Sequence, residues 1–371
     1  MMQKHATEIV LTGGPCAGKT SALSYLKDKL TDRGYRVFVC PEVASLIILG
    51  GIHDMRNLSK NDPQKFFEVQ CAIIDLQIKM RSTWNELARI TPGDKKIIIY
   101  DRGPNDAMAY MGETAFHTML ERSKLTLAET RDSFEAVIHL QTTAIGAEAA
   151  YNLSNNAARH ETVGEARVLD QKTAESWIGT PHLRVLDNST DFEGKMERTL
   201  QEVCHVLGFP TPLEIERKFL LENIPDFENP ELGRVVPVDI EQIYLSAKPG
   251  VTRRIRRRGD NKATMYFETT KYDVSPSIRQ ETERIITSKE YEYLKLFRDL
   301  TRRALRKTRH CFLWHNQYFE LDIFNTGRRP LILLELELTK ATQHFELPSF
   351  FGNMVDVTND ARFKNVEIAK I

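Results

Sequence analysis

Long apolar runs are missing from this sequence, and none approaches the roughly 20 residues that a helix needs to cross a bilayer. The opening stretch MMQKHATEIV is too short and too polar ahead of its first strand for a secretory signal, so the expected location is cytoplasmic. Cysteine is sparse. The five residues, at positions 16, 40, 71, 204 and 311, are scattered, odd in number and free of CxxC pairs, which argues for reduced thiols and against a disulfide framework or a cysteine zinc site. Net charge is also absent. With 51 Lys+Arg against 51 Asp+Glu there is no bulk positive field to attract nucleic acid. No repeat or low-complexity tract breaks the chain. What remains is a 371-residue sequence, 41% hydrophobic and 27% charged, with the composition of a soluble globular protein and the length of two domains.

The two halves are patterned differently. Up to residue 208, short apolar runs at 8–12, 35–40, 96–101, 136–141 and 183–187 alternate with helical stretches, the longest spanning 63–89. That alternation predicts an α/β domain with helices on both faces of a parallel sheet. From 213 to 371 the period changes. Strand-like segments at 213–221, 239–247, 251–258, 264–272, 277–286, 304–312, 318–324 and 331–339 follow one another on short connections, with a single helix at 289–299. This predicts a β-rich domain built on an antiparallel sheet, closed or nearly so. Gly208, Pro210 and Pro212 mark the boundary.

EIVLTGGPCAGKTSAL carries G-x-x-x-x-G-K-[ST] between a predicted strand and a predicted helix, the context that gives the motif meaning. Gly13, Gly14 and Gly18 let the loop wrap a phosphate, Lys19 reaches its outer oxygens, and Thr20, followed by Ser21, ligates magnesium. Cys16 reads either as a redox-sensitive group or as a tolerated small residue. Asp101 ends the apolar strand of KKIIIYDRGPND, where a carboxylate would hold the magnesium shell, and Arg102 follows it. Glu42 lies just past the second strand and reads equally as a general base toward an acceptor hydroxyl or as the start of the next helix. The stretch 155–170 looks like a lid helix, in which Arg159 and Arg167 reach the transferred phosphate or simply lie on a solvated face. Asn188, Ser189 and Thr190 follow the last strand, at a position suited to the base.

The second half has a more unusual feature. In TPLEIERKFLL, Glu214, Glu216 and Lys218 fall on one side of a strand. The same spacing places together Arg254, Arg256 and Arg258, then Arg279, Glu281 and Glu283, then Lys307 and Arg309, Glu320 and Asp322, and Glu335 and Glu337, while Lys271 closes another strand. Doublets of one sign are unfavourable on a strand face unless counter-charges are supplied. Turned inward around a closed sheet, the cations would bind a chain of phosphates and the carboxylates would bind divalent metal on that chain.

EIERKF, with RIR, TTK, RQETE, KTR, FELDIF, LELEL and RFKN following in order, resembles the CYTH or triphosphate tunnel metalloenzyme superfamily over about 213–371. The resemblance implies an eight-stranded antiparallel tunnel that binds triphosphate-bearing ligands with Mg2+ or Mn2+. Glu214, Glu216, Glu335 and Glu337 would be the metal-side carboxylates. Lys218, Arg254, Arg256, Lys271, Lys307 and Arg309, with Arg279, would be the phosphate-side cations, and Glu281 and Glu283 would serve a second metal or the attacking water. TGGPCAGKTS, PEVA, DRGPND and the N-x-x-R-H-E stretch resemble an AAA-like, kinase-type P-loop domain fused to CYTH, as in the family of the fly TRPL-channel translocation-defect protein. Three expectations result. One is a P-loop NTPase or phosphotransferase using ATP or GTP, with a polyphosphate or phosphorylated small molecule in the tunnel. The second is a nucleotide-dependent module that reads anionic phospholipid head groups with little turnover. The third is a tunnel triphosphatase with a regulatory P-loop.

Overall fold

The computed structural model describes residues 6–52, 55–151, 161–208, 215–259, 263–275, 278–325, 330–338 and 343–370, with backbone alone at 150, 215, 273–275 and 278–282. The chain divides into two compact units, Met1–Val203 and Cys204–Ile371. The division falls slightly earlier than the glycine and prolines suggest, and residues 209–214 of that linker lie outside the described set. Among the described residues no helix is long and apolar enough to cross a membrane.

The first unit runs β1 (Thr7–Gly13), α1 (Lys19–Thr31), β2 (Arg36–Cys40), α2 (Val43–Leu49), α3 (Met55–Asn61), α4 (Pro63–Ile90), β3 (Lys96–Asp101), α5 (Asp106–Met111), α6 (Glu113–Arg122), α7 (Leu127–Arg131), β4 (Ala136–Leu140), α8 (Val163–Glu175), β5 (Leu183–Leu186) and α9 (Phe192–Val206). The strands form one parallel sheet in the order β2-β3-β1-β4-β5. Ile9, Val10 and Leu11 of β1 and Ile97, Ile98 and Ile99 of β3 are fully buried, as strands covered on both faces must be. The connection leaves β1 toward β2, whereas the one after β3 crosses to β4, so a crevice opens at the carboxyl ends of β1 and β3. Both P-loop and Asp101 emerge there.

The expected lid helix over 155–170 is corrected. Thr162 accepts the Glu165 amide, and the Glu165 carboxylate accepts the Thr162 amide at 2.9 Å, a reciprocal cap that starts α8 at Val163. Residues 152–160, with Asn155 and Arg159, lie outside the described set.

The second unit contains β6 (Ile215–Leu221), β7 (Val235–Leu245), β8 (Val251–Gly259), β9 (Thr264–Ser275), β10 (Ile278–Ile286), α10 (Ser288–Leu294), β11 (Leu305–Trp314), β12 (Gln317–Phe324), β13 (Leu331–Leu338), β14 (Met354–Asp356) and α11 (Asn365–Ile368). The strands pair antiparallel in the order β10-β9-β8-β7-β11-β12-β13-β6-β14. All eight expected strands are present. A ninth was missed: β14 is three residues long, too short to show a period, and takes the edge of β6. Hydrogen bonding therefore does not close the sheet between β6 and β10 among the described residues. The helix expected to reach 299 ends as α10 and continues as a 3-10 turn, Lys295–Phe297.

The register explains the charge pattern. Glu216 lies opposite Glu337 and Lys218 opposite Glu335; Glu335 faces Glu320, Asp322 faces Arg309, and Arg256 faces Gln242. Successive residues point to opposite sides, so the charged doublets of β6, β13, β12, β11 and β8 share one continuous face. The other face is apolar. Phe219, Leu221, Leu334, Leu336, Leu338, Leu321, Phe319 and Phe312 pack there with Leu232 and Phe351. The apolar core of this half of the sheet thus lies behind it, and the polar face is left to line the interior. One end of that face is filled: Leu220, Leu333, Phe324, Leu305 and Tyr244 pack against Val357, Phe363, Val366 and Ile368. The Arg303 amide bonds the Ala369 carbonyl at 2.8 Å and holds the closing segment in place.

Candidate functional site

The P-loop is shaped by what its carbonyls do. Pro15 O accepts the Thr142 hydroxyl, Cys16 O accepts the Thr143 hydroxyl at 3.2 Å, and Ala17 O accepts the buried Lys195 ammonium at 3.3 Å. A peptide carbonyl and the next N–H point in opposite directions, so anchoring these carbonyls turns the amides of Cys16, Ala17 and Gly18 toward the opposite, concave side. The turn is left-handed at Cys16 (φ 58°) and Gly18 (φ 88°). At Gly13 a Cβ would lie 2.2 Å from the Leu140 carbonyl oxygen, so only glycine fits. Gly14 differs from the expectation: its amide donates to Asp170 at 2.8 Å, so it holds the loop and does not face the ligand. Asp170 also accepts the Thr142 amide at 2.9 Å and lies 3.2 Å from His139 Nε2. Burial alone would raise the Asp170 carboxyl, but His139 and the two amides hold it below its usual value. Neither Asp170 nor Lys195 was singled out from the sequence, since each matters only through residues far along the chain.

At the carboxyl end of β3, Asp101 is half-buried and its buried Oδ1 has no hydrogen-bond partner, and desolvation pushes its carboxyl up despite the nearby Lys19 charge. Lys19 is buried, while Thr20 and Ser21 open to solvent. Arg102 adopts φ 68°, in the left-handed region, where a non-glycine residue is strained unless its surroundings hold it. Its amide donates to Leu11 O at 3.0 Å and its Nε donates to Glu42 Oε1 at 2.6 Å. Asp106 lies 3.5 Å from Arg102 and accepts the Trp177 indole N–H at 2.7 Å and the Thr12 hydroxyl at 2.8 Å. Glu42 stands at the start of α2, yet its carboxylate caps no amide; it accepts Arg102 and, at 2.5 Å, the Ser45 hydroxyl. Burial pushes Glu42 up, but Arg102, Lys19 and Ser45 more than offset this and hold it at about 2. A carboxylate so acidic orients a donor better than it takes a proton.

That shift predicts a pH dependence. The folded value, about 2, lies below the ordinary 4.5, so the stabilisation is full above pH 4.5 and is lost as pH falls through 2. Glu42→Gln is expected to be less stable than wild type by on the order of 3 kcal/mol at neutral pH. The gap should close between these two pH values in denaturation followed by circular dichroism.

Arg167 donates to Ala144 O at 2.6 Å and to Glu148 at 2.7 Å, so it anchors the loop after β4. Asn188 is likewise engaged inside the fold. Its amide donates to Thr142 O and Ile145 O, and its oxygen accepts Lys195 at 2.7 Å.

In the second unit cations and carboxylates of the polar face pair with one another. Arg309 grips Asp322 with two bonds of 2.7 Å, reaches Glu335 at 2.8 Å and also pairs with Glu320. Lys307 pairs with Asp322, and Lys218 lies 2.7 Å from Glu335 and 3.4 Å from Glu216. Burial would raise the Glu335 carboxyl, but Lys218, Lys307 and Arg309 hold it far below the usual range. Glu216 and Glu337, directly opposite one another, stay partly open. On β8 the balance is positive: burial and the charges of Arg254, Arg258 and Arg309 outweigh Glu283 and hold the Arg256 guanidinium below its ordinary value. Glu283 accepts Arg256 at 3.0 Å and the Thr269 hydroxyl at 2.7 Å. The register sets Lys271 opposite Glu281 and Arg279 opposite Asp273; the side chains of Arg279 and Glu281 are outside the described set, as is Glu214. Among the described residues no three carboxylate, histidine or cysteine side chains converge as a ready metal cluster.

Comparison with known proteins agrees with both units. The AAA domain family matches residues 8–195. An inorganic triphosphatase of Nitrosomonas europaea is 37% identical over 160 residues, which is 42% of this chain and 96% of that protein. A crystal structure of an inorganic triphosphatase is 33% identical, covering 42% of this chain and 93% of its own, with a TM-score of 0.31. A structure from Pyrococcus horikoshii OT3 is 19% identical, covering 34% and 79%, with a TM-score of 0.27.

Proposed function

The chain belongs to the AAA domain family through its first unit and carries a CYTH-type triphosphatase homologue in its C-terminal region, and we propose that it is an enzyme that hydrolyses triphosphate on the polar face of the second unit while the P-loop binds a nucleoside triphosphate. The observation that carries this reading is the arginine row of β8. Arg254, Arg256 and Arg258 share a face, and the charges of Arg254 and Arg258 lower the Arg256 guanidinium in spite of Glu283, a repulsion that a bound polyanion would relieve. The related protein of Nitrosomonas europaea is an inorganic triphosphatase.

The residues present suit a divalent cation, Mg2+ or Mn2+, in both units. Glu216 and Glu337 oppose one another as hard oxygen donors, an arrangement of like charge that a cation stabilises. Glu214, two residues earlier in the sequence, would join them. In the first unit the unpartnered Oδ1 of Asp101 and the exposed Thr20 hydroxyl would hold the metal of Mg·ATP or Mg·GTP. A bound cation would neutralise phosphate charge. The chain's own residues do the rest: Arg254, Arg256 and Arg258 orient the polyphosphate, and Lys218, Lys307 and Arg309 face it while their carboxylate partners hold them in place. Because one end of the face is filled by apolar side chains, substrate does not enter by that end.

The test is orthophosphate release from tripolyphosphate with and without Mg2+ or Mn2+. Glu216→Gln is expected to lower release roughly a hundredfold at saturating substrate. Full activity in that variant, or none in wild type with either metal, sinks the triphosphatase reading; a silent protein that still binds anionic vesicles would be the lipid-reading module instead.

A further inference from the structure

The polar side chains of the loop between β5 and α9 are hydrogen-bonded within the fold. Asp187 accepts the Ser189 hydroxyl at 2.6 Å and Arg198 at 2.7 Å. Thr190 donates to Asp191 O and accepts Arg198, and Asp191 caps α9 by accepting the Gly194 amide at 2.8 Å. Asn188, whose amide is the group best suited to pair with a base, has both ends engaged within the fold.

What the loop does present is an aromatic ring. Phe192, the first residue of α9, is 56% exposed. Its position is set by the P-loop. A Cβ on Gly18 would lie 3.2 Å from Phe192 Cε2, so the ring edge rests where the loop passes into α1. Lys195, one turn further along α9, bonds Ala17 O, Gln141 O and Asn188 and thereby fixes α9 to the loop backbone. A solvent-facing ring anchored beside a phosphate cradle matches a ligand that is anionic at one end and flat and aromatic at the other.

We propose that Phe192 is the platform on which the nucleobase stacks, and that the P-loop site holds nucleotides by phosphate and ring face without reading the base edge. Adenine and guanine nucleotides then bind alike, because stacking tolerates any base with a π-face. This rests on the nucleotide-binding reading of the P-loop.

The experiment is calorimetric titration of the full chain with ADP, GDP and inorganic pyrophosphate in Mg2+, counting only the binding that Lys19→Ala removes, which separates the P-loop from the second unit. Wild type should bind ADP and GDP with nearly equal affinity. Phe192→Ala should weaken both by roughly tenfold to a hundredfold and leave pyrophosphate unchanged, and Phe192→Trp should restore nucleotide affinity. Unchanged ADP and GDP affinity in Phe192→Ala, an equal loss for pyrophosphate, or a wild-type preference of more than about tenfold for one purine overturns the proposal. If Lys19→Ala removes no binding of any of the three, the nucleotide reading of the P-loop falls and the platform falls with it.

Discussion

Arg309→Met is expected to destabilise the second unit by about 3–5 kcal/mol and to abolish triphosphate hydrolysis. Arg309 is the only described side chain that touches Glu320, Asp322 and Glu335 together, and Asp322 is fully buried. Three cations, Lys218, Lys307 and Arg309, meet these three carboxylates, so removing one cation leaves a negative charge buried without compensation. Stability and function can be separated. Replacing Asp322 by leucine as well removes the stranded charge, so the double variant should regain most of the lost stability in urea denaturation while hydrolysis stays absent. A single variant as stable as wild type would show that the network is not the electrostatic centre of the sheet.

Lys19→Ala is expected to weaken Mg·ATP and Mg·GTP binding by roughly a hundredfold or more, as the loss of a buried cation facing phosphate does. The local electrostatics should move with it. Lys19 opposes the burial that raises Asp101 and helps hold Glu42 down, so both carboxyls should titrate higher in the variant. Because the two units are separate compact bodies, tripolyphosphate hydrolysis should survive nearly unaltered. Loss of that hydrolysis would place the chemistry at the P-loop, and unchanged nucleotide affinity would remove the P-loop from nucleotide binding. Equilibrium dialysis and phosphate release on one preparation decide among these.

Much of this protein is determined locally and can be read from its residues. A phosphate loop needs glycine where the chain turns left-handed, as at Gly18, and where it passes within contact of another strand, as at Gly13, so the motif carries its own geometry. The charged doublets of the second unit are equally legible, because a strand alternates sides every residue and the register then brings Lys218 to Glu335 and Arg309 to Asp322. Partner choice is different in kind. Which groups neutralise one another depends on residues brought together from distant parts of the chain, so nothing near Lys218 or Arg309 in the sequence indicates that their first partners are carboxylates and not phosphates. For the same reason Asp170 holds Gly14 across 156 positions, Lys195 holds Ala17 across 178, and Phe192 comes to lie against Gly18. Residue type and spacing were enough to mark the phosphate loop and the charged strand faces. Tertiary packing alone decided which amide faces the ligand, which carboxylates stay open and which end of the polar face is shut, because burial makes a charge depend on its immediate neighbours.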